Sequence, residues 1–182
     1  MAVRSKARSP RWFRAFAVIA GGAVFVLAAC SAVGEAADRI GEPADVAVGE
    51  CVKVRSSDGD DSTVEPRRSS CDVEGMTFVA TYIGLGECGR YENYLTFPGT
   101  SERLCLMPNF VQGRCYQIPA SSGGSLVDFK QVGCNGPSAG GATIYRAEVG
   151  AEDSPGCAAD QVAVTYDRPE PRAFCLAALD HS

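Results

Sequence analysis

Nine cysteines are the residues of this 182-residue chain with the most evident capacity for chemistry. Eight of them form two sets of four, at positions 51, 71, 88 and 105 and at positions 115, 134, 157 and 175. Thiol exchange favours a close pair such as C-x-x-C, and structural zinc sites favour cysteines two to four residues apart. The nearest two cysteines, Cys105 and Cys115, are ten residues apart. The spacing therefore predicts four structural disulfides rather than a redox or zinc site.

Other residue types that perform catalysis are scarce or unfavourably placed. The single histidine, His181, is next to last in the chain, where fraying is expected, which argues against Ser-His-Asp, Cys-His and histidine-zinc chemistry. Asp58, Asp60 and Asp61 lie in a Gly/Ser-rich turn, where we expect solvated acids, with weak Ca²⁺ binding as the alternative. The serine-rich segment 121–125 matches no nucleophile motif. No catalytic residue, metal or cofactor is therefore predicted.

The N-terminal segment predicts export and a lipid anchor. Residues 1–14 are basic, and residues 15–29 form an uncharged apolar run of roughly 22 Å as a helix, which favours a secretory signal over the alternative of a permanent membrane-spanning helix. The run ends in Leu27-Ala28-Ala29-Cys30, which resembles the lipobox of bacterial lipoproteins. That resemblance implies a diacylglyceryl group on the Cys30 sulfur and cleavage before Cys30, and two acyl chains anchor a protein stably. The alternative is an ordinary signal peptide that is cut nearby, with Cys30 incidental.

Charge is distributed unevenly along the chain. Residues 1–29 hold five of the 17 basic residues and none of the 22 acidic residues, which leaves 12 basic against 22 acidic residues, a net charge of −10, after the apolar run. Binding of nucleic acid or of anionic lipid headgroups requires cationic patches. We therefore expect no nucleic-acid partner and membrane contact only through the anchor.

The two sets of cysteines lie in segments that resemble each other. Gly49-Glu50-Cys51 matches Gly113-Arg114-Cys115, residues 77–84 align with residues 143–150, and each set closes in a Cys-Leu step. These matches indicate an internal duplication, with chance similarity between β-rich segments as the alternative. Within each half, a hairpin would bring the first two cysteines together, and the last two would close the second part. The predicted pairs are Cys51 with Cys71, Cys88 with Cys105, Cys115 with Cys134 and Cys157 with Cys175.

The remaining patterns predict a mainly β fold of two tandem, related, disulfide-stapled units, with an α+β fold containing short helices as the alternative. Alternating apolar and β-branched residues predict strands over residues 78–83, 127–132, 144–149 and 162–166, with short helical turns at 89–93 and 158–162. Most aromatic residues are expected in the core, with a groove for a glycan or a peptide as the alternative for Tyr82, Tyr91, Tyr94, Phe97, Tyr116, Phe129, Tyr145 and Tyr166. The predicted organisation is a signal peptide over 1–29, an acidic flexible tether over 30–45, β units over 46–108 and 109–178, and a frayed end over 179–182.

The repeated pattern G-x-C-[VY]-x-[VI] with three further cysteines resembles the LppU-type lipoproteins of actinobacteria over about residues 48–176. The resemblance rests on Gly49-x-Cys51, Cys71, Cys88, Leu104-Cys105-Leu106-Met107-Pro108-Asn109, Gly113-x-Cys115, Cys134, Cys157 and Phe174-Cys175-Leu176. The Gly-x-Cys opening is more distantly similar to the extracytoplasmic domain of septum-formation-related proteins. Both resemblances imply location and architecture and supply no catalytic residue.

The predicted function follows from the anchor, the disulfides and the missing catalytic residues. We expect a non-catalytic lipoprotein on the extracytoplasmic face of the cell membrane, with a module that binds an envelope protein or a cell-wall component. Two alternatives remain open at this point: an extracytoplasmic enzyme that uses thiol redox chemistry or a carboxylate-dependent hydrolysis, and a carrier of an apolar ligand between the two halves.

Overall fold

The structure is a computed structural model that describes residues 38–57, 60–119, 125–138, 142–149 and 156–179. The predicted signal peptide, Leu27, Ala28, Ala29, Cys30, Asp58 and His181 lie outside the described residues. The chain divides into two compact units, Met1–Asp38 and Arg39–Ser182, and all of the strands belong to the second unit. Among the described residues, no helix is long and apolar enough to cross a membrane.

The first half of the folded unit is an antiparallel sheet of five strands in the order β2-β1-β3-β5-β4. The central strands carry the most apolar sequences, and Leu104 and Leu106 of β5 are fully buried. The strands are β1 Cys51–Ser57, β2 Asp60–Ser69, β3 Phe78–Gly84, β4 Asn93–Thr96 and β5 Arg103–Pro108.

The second half repeats this topology, because its five antiparallel strands follow the equivalent order β7-β6-β8-β10-β9. The strands are β6 Cys115–Ile118, β7 Lys130–Val132, β8 Thr143–Val149, β9 Gln161–Tyr166 and β10 Arg172–Ala178. Short 3-10 helices occupy Pro43–Asp45 and Leu126–Asp128. The second of these replaces the start of the strand predicted over residues 127–132, because a capping box in which Ser125 and Asp128 bond each other's backbone turns the chain there. The predicted mainly β fold of two disulfide-stapled units is confirmed.

The duplication extends to individual hydrogen bonds. The Gly49 amide donates to the Ala80 carbonyl at 2.8 Å, and the Gly113 amide donates to the Ala147 carbonyl at the same distance. Both glycines have positive φ, +96° and +78°, which the tight turn into the first strand of each half requires. The shared Gly-x-Cys sequence therefore encodes one turn that is used twice.

The sequence alignment of the third strands is wrong by one residue over part of its length. It places Ala80 against Arg146, whereas the hydrogen bonds make Ala80 equivalent to Ala147. A β-bulge between Ala80 and Tyr82 inserts Thr81 as an extra residue in the first half, and it restores the predicted alignment after that point. A gapless alignment cannot register such an insertion.

Four disulfides join the same pairs that the hairpin argument predicts: Cys51 with Cys71, Cys88 with Cys105, Cys115 with Cys134 and Cys157 with Cys175. The Cα atoms of the pairs are 5.2 to 5.5 Å apart, an ordinary separation for a disulfide. Each half therefore has one bridge at the end of its first hairpin and another that ties a loop to a central strand.

One hydrophobic cluster contains residues of both sheets. Phe78 meets Phe129 edge-on with ring centroids 5.9 Å apart, and Phe110 meets Phe174 in the same way at 5.5 Å. Phe110 lies in the connection between the halves, which begins where β5 ends at Pro108. The two units are distinct in topology but share their core.

Residues 39–45, which the sequence assigns to the flexible tether, pack against the first sheet. Ile40 is buried, and its amide donates to the Pro66 carbonyl at 3.0 Å. Arg39 forms an isolated β-bridge with Arg67, so this segment lies along the outer edge of β2. Burial of Ile40 and Pro43 and the backbone pairing with β2 together order this segment, and the folded region therefore begins at about Arg39 rather than at residue 46.

A candidate binding cleft between the two halves

A cleft lined by described residues of both halves has a volume of about 470 Å³, within the range of small-ligand sites. One wall is the β3–β4 connection, residues 87–92 of the first half. The other is the end of β9 and the residues that follow it, 165–168 of the second half. The cleft therefore exists only because the two halves pack together.

The first wall is a closed turn with a buried acid. The Cys88 to Cys105 disulfide ties it to the central strand β5. The Gly89 amide donates to the Glu92 carboxylate at 2.5 Å, and the Glu92 amide returns a bond to the Gly89 carbonyl at 3.0 Å. Glu92 is thereby oriented into the molecule, and its side chain is only 2% exposed.

Arg168 crosses from the second half to neutralise that acid. Its guanidinium donates to a Glu92 carboxylate oxygen at 2.9 Å and to the Glu87 carbonyl at 3.0 Å. The same group lies 4.5 Å above the ring centroid of Tyr82, in a cation–π contact. The Arg168 side chain remains one-third exposed, so the ion pair lies between the core and solvent.

The ionisation of these groups follows from their partners. Burial raises the pKa of Glu92, but hydrogen bonds from Arg168 and the Gly89 amide outweigh it and hold the pKa of this carboxyl below its usual value. The hydrogen bond to Glu92 raises the pKa of Arg168. Burial strongly raises the pKa of Tyr166, whose phenol is therefore neutral at physiological pH. The cleft therefore contains a fixed ion pair, in which the Glu92 carboxyl group is deprotonated at neutral pH.

The second half builds the equivalent turn with an amide in place of the acid. The Ala158 amide donates to the Gln161 side-chain oxygen at 2.9 Å, and the Gln161 amide donates to the Ala158 carbonyl at 3.0 Å. The Gln161 side chain then donates to Glu148 at 2.9 Å, within its own half. Gln161 therefore corresponds to Glu92, and of these two equivalent turns the one in the first half is closed by a carboxylate.

Three potential metal ligands are close together here, because donor atoms of Cys88, Glu92 and Cys105 lie within 4.8 Å of one another. Both sulfurs belong to the same disulfide and are not thiolates, which are the form that binds metal ions. The Glu92 carboxylate is already bound by Arg168 and the Gly89 amide. These donors therefore do not make a metal site in the oxidised protein.

The sequence-based candidates are only partly brought together. Cys88 and two of the aromatic residues proposed for a groove, Tyr91 and Tyr166, line the cleft. The ion pair of Glu92 and Arg168 was not predicted, since its members are 76 residues apart and match no motif. The one sequence signal for this ion pair is the alignment of the two turns, which places Glu92 opposite Gln161. Because an amide closes the same turn in the second half, the charge of Glu92 is not required by the turn itself.

A comparison with known protein families, curated proteins and solved structures finds no match to this chain.

Proposed function

We propose that the protein is a lipid-anchored lipoprotein of the cell envelope whose folded unit is a non-catalytic binding module. Its ligand would be an envelope protein or a cell-wall component that enters the cleft between the halves. The observation that carries this proposal is the cleft itself, whose walls are both fixed, one by a disulfide and the other by Arg168. A site whose walls are set before binding loses little entropy when a ligand is bound.

The chemistry of the cleft favours binding over the alternatives. A hydrolase that uses a carboxylic acid needs one whose pKa is raised, whereas hydrogen bonds hold the pKa of Glu92 below its usual value. Thiol redox chemistry needs a thiolate, and the cysteine in the cleft wall, Cys88, is disulfide-bonded. A carrier of apolar ligands needs an apolar cavity, but Glu87, Arg90 and Asp167 line this one.

The proposed anchor would hold the module close to the membrane. Cys30 precedes the first residue of the folded unit, Arg39, by nine positions. Nine residues span at most about 30 Å when fully extended. The ligand would therefore be one that lies near the outer face of the cell membrane.

Photo-crosslinking in the intact envelope tests the binding role. A photoreactive amino acid would replace Glu87, an exposed residue of the cleft wall, or Lys130, an exposed residue of β7 outside the cleft. We expect a discrete crosslinked species, identified by mass spectrometry as a protein or a cell-wall fragment, at position 87 and not at position 130. Equal crosslinking at both positions, or none at either, would contradict the proposal.

Partitioning into detergent tests the anchor. We expect the Cys30→Ala protein to move from the detergent phase of a membrane extract to the aqueous phase, because it cannot receive the lipid. The neighbouring substitution Ser31→Ala leaves the Leu27-Ala28-Ala29-Cys30 motif unchanged and should stay in the detergent phase. An unchanged partition for Cys30→Ala would exclude lipid on this cysteine.

A further inference from the structure

The two sheets have four outer strands, and β9 lacks the protection that most of the others have. β2 is covered in part by Arg39 and contains Pro66. β7 is three residues long and β4 is four. β9 has six residues, Gln-Val-Ala-Val-Thr-Tyr, with no charge and no proline, and among the described residues it pairs only with β10.

Such an edge is a template for another strand, because one row of its backbone groups has no partner in the sheet. Proteins usually protect edge strands with charge, proline or short length. The side chains of β9 also favour the addition of another strand. Val162 lies on the same face as the buried residues Val164 and Tyr166, yet it is 45% exposed. An added strand could therefore cover an apolar side chain as well as pair the backbone.

The charges at the two ends of β9 determine which strand fits. Exposed acids flank the strand, Asp160 immediately before it and Asp167 immediately after it. If two copies of the protein paired antiparallel and in register through β9, Asp160 of each would lie opposite Asp167 of the other. Like charges directly opposite each other destabilise a strand pair. Self-association through this edge is therefore disfavoured, whereas a strand with basic ends is favoured.

We infer that β9 binds an extended segment of a partner protein by strand addition. The segment has an uncharged, β-branched centre and a lysine or arginine at each end, seven positions apart, opposite Asp160 and Asp167. This inference rests on the proposed binding function and names the partner class. The Asp167 end of the strand also lines the cleft, so a longer segment continues into it.

Peptide binding to the whole protein tests this inference. The probe is the fluorescently labelled peptide Lys-Thr-Val-Thr-Val-Thr-Val-Lys with blocked ends, and its partner probe has glutamate at both ends. We expect fluorescence anisotropy to show binding of the lysine-ended peptide, roughly tenfold tighter than the glutamate-ended one at low salt. The double substitution Asp160→Lys with Asp167→Lys should reverse that preference.

A second variant separates the edge from general charge attraction. Val162→Lys places a charge within the strand on the side where a partner strand would pack, and it should abolish binding of both peptides. The control is Tyr94→Lys on β4, where the replaced side chain is 54% exposed, and it should bind as the unsubstituted protein does. Circular dichroism of both variants checks that they are folded, and we expect spectra that match that of the unsubstituted protein.

The outcomes distinguish this inference from the proposed function. Absence of peptide binding, or binding that neither Val162→Lys nor the charge reversal changes, would overturn the β9 assignment. A dimer in the unsubstituted protein that Val162→Lys dissociates would also overturn it. If crosslinking at position 87 then persisted in the Val162→Lys protein, the binding function would stand and only the β9 site would be lost.

Discussion

Replacing Arg168 with methionine removes the cation from the Glu92 carboxylate while keeping an unbranched side chain of similar length. The Glu92 side chain is 2% exposed, so the acid keeps its charge in a dry environment or takes up a proton. Loss of one partner from a fully buried ion pair costs about 3–5 kcal/mol. Because Arg168 is one-third exposed and the Gly89 amide still binds Glu92, we expect a loss of about 2–3 kcal/mol in the free energy of unfolding.

A double-mutant cycle isolates the pair, and the chain itself suggests the second substitution. Glu92→Gln copies Gln161, which accepts the equivalent turn bond in the second half. It should cost about 1 kcal/mol, since Arg168 can then reach solvent. In the double variant no buried charge remains, so its cost should be about 2 kcal/mol, less than the sum of the single costs. The resulting coupling energy is about 1–2 kcal/mol.

Urea unfolding with the disulfides intact measures these values, and Arg172→Met is the matched control. Arg172 is exposed at the start of β10, and its replacement should change the free energy of unfolding by less than about 0.5 kcal/mol. Since the folded-state pKa of Glu92 is below its unfolded value, the stabilisation is present at neutral pH and is lost as pH falls through the folded pKa. A coupling energy below about 0.5 kcal/mol, or equal acid sensitivity in the Glu92→Gln protein, would refute this reasoning.

Three further predictions concern the fold. Replacing Cys51 and Cys71 with alanine opens a loop of about 20 residues and should cost about 3 kcal/mol, measured by urea unfolding. Gly49→Ala should lower the free energy of unfolding by about 1–2 kcal/mol because residue 49 has a positive φ. Gly133 also has open space around it but no positive φ, so Gly133→Ala should leave the same quantity nearly unchanged. Burial raises the pKa of Tyr166 above the unfolded value of about 10, so the stability that its neutral phenol provides is lost as pH rises above about 10. The urea midpoint should therefore decrease between pH 9 and pH 11, and the decrease should be smaller in the Tyr166→Phe protein than in the unsubstituted protein.

The strands that sequence patterns predicted best are rich in β-branched and aromatic residues, and β9 also alternates between exposed and buried side chains. β3, β8 and β9 overlap the strands expected from alternating residues, and the disulfide pairs follow from the hairpin and loop geometry. The central strands β5 and β10 were missed. Residues 104–107 of β5 are all fully buried, so that strand has no polar face to produce alternation, and a short continuous apolar run does not identify a strand by period.

The cleft was predictable only in fragments, because it depends on the way in which the halves pack. Tyr91 and Tyr166 could be proposed for a groove, but nothing in their spacing shows that they share one. The salt bridge of Glu92 with Arg168 joins two loops whose local sequences carry no common motif. Local sequence determines the turn that Glu92 closes and the disulfide between Cys88 and Cys105. Tertiary packing determines that Arg168 is the cation that binds Glu92.

The asymmetry of the duplication explains why the ion pair across the cleft runs in one direction only, from the second half to the first. The shared Thr-aromatic steps equate Arg168 with Gly99, whose φ is +83°. An arginine at position 99 would be strained, so the first half cannot return the contact that Arg168 makes. The turn before β4 is therefore held by the second half, whereas Gln161 at the start of β9 bonds Glu148 in its own half. The duplication thus places one turn in the packing between the halves, whereas the strand after the other turn, β9, pairs among the described residues only with β10 and is the edge at which we infer strand addition.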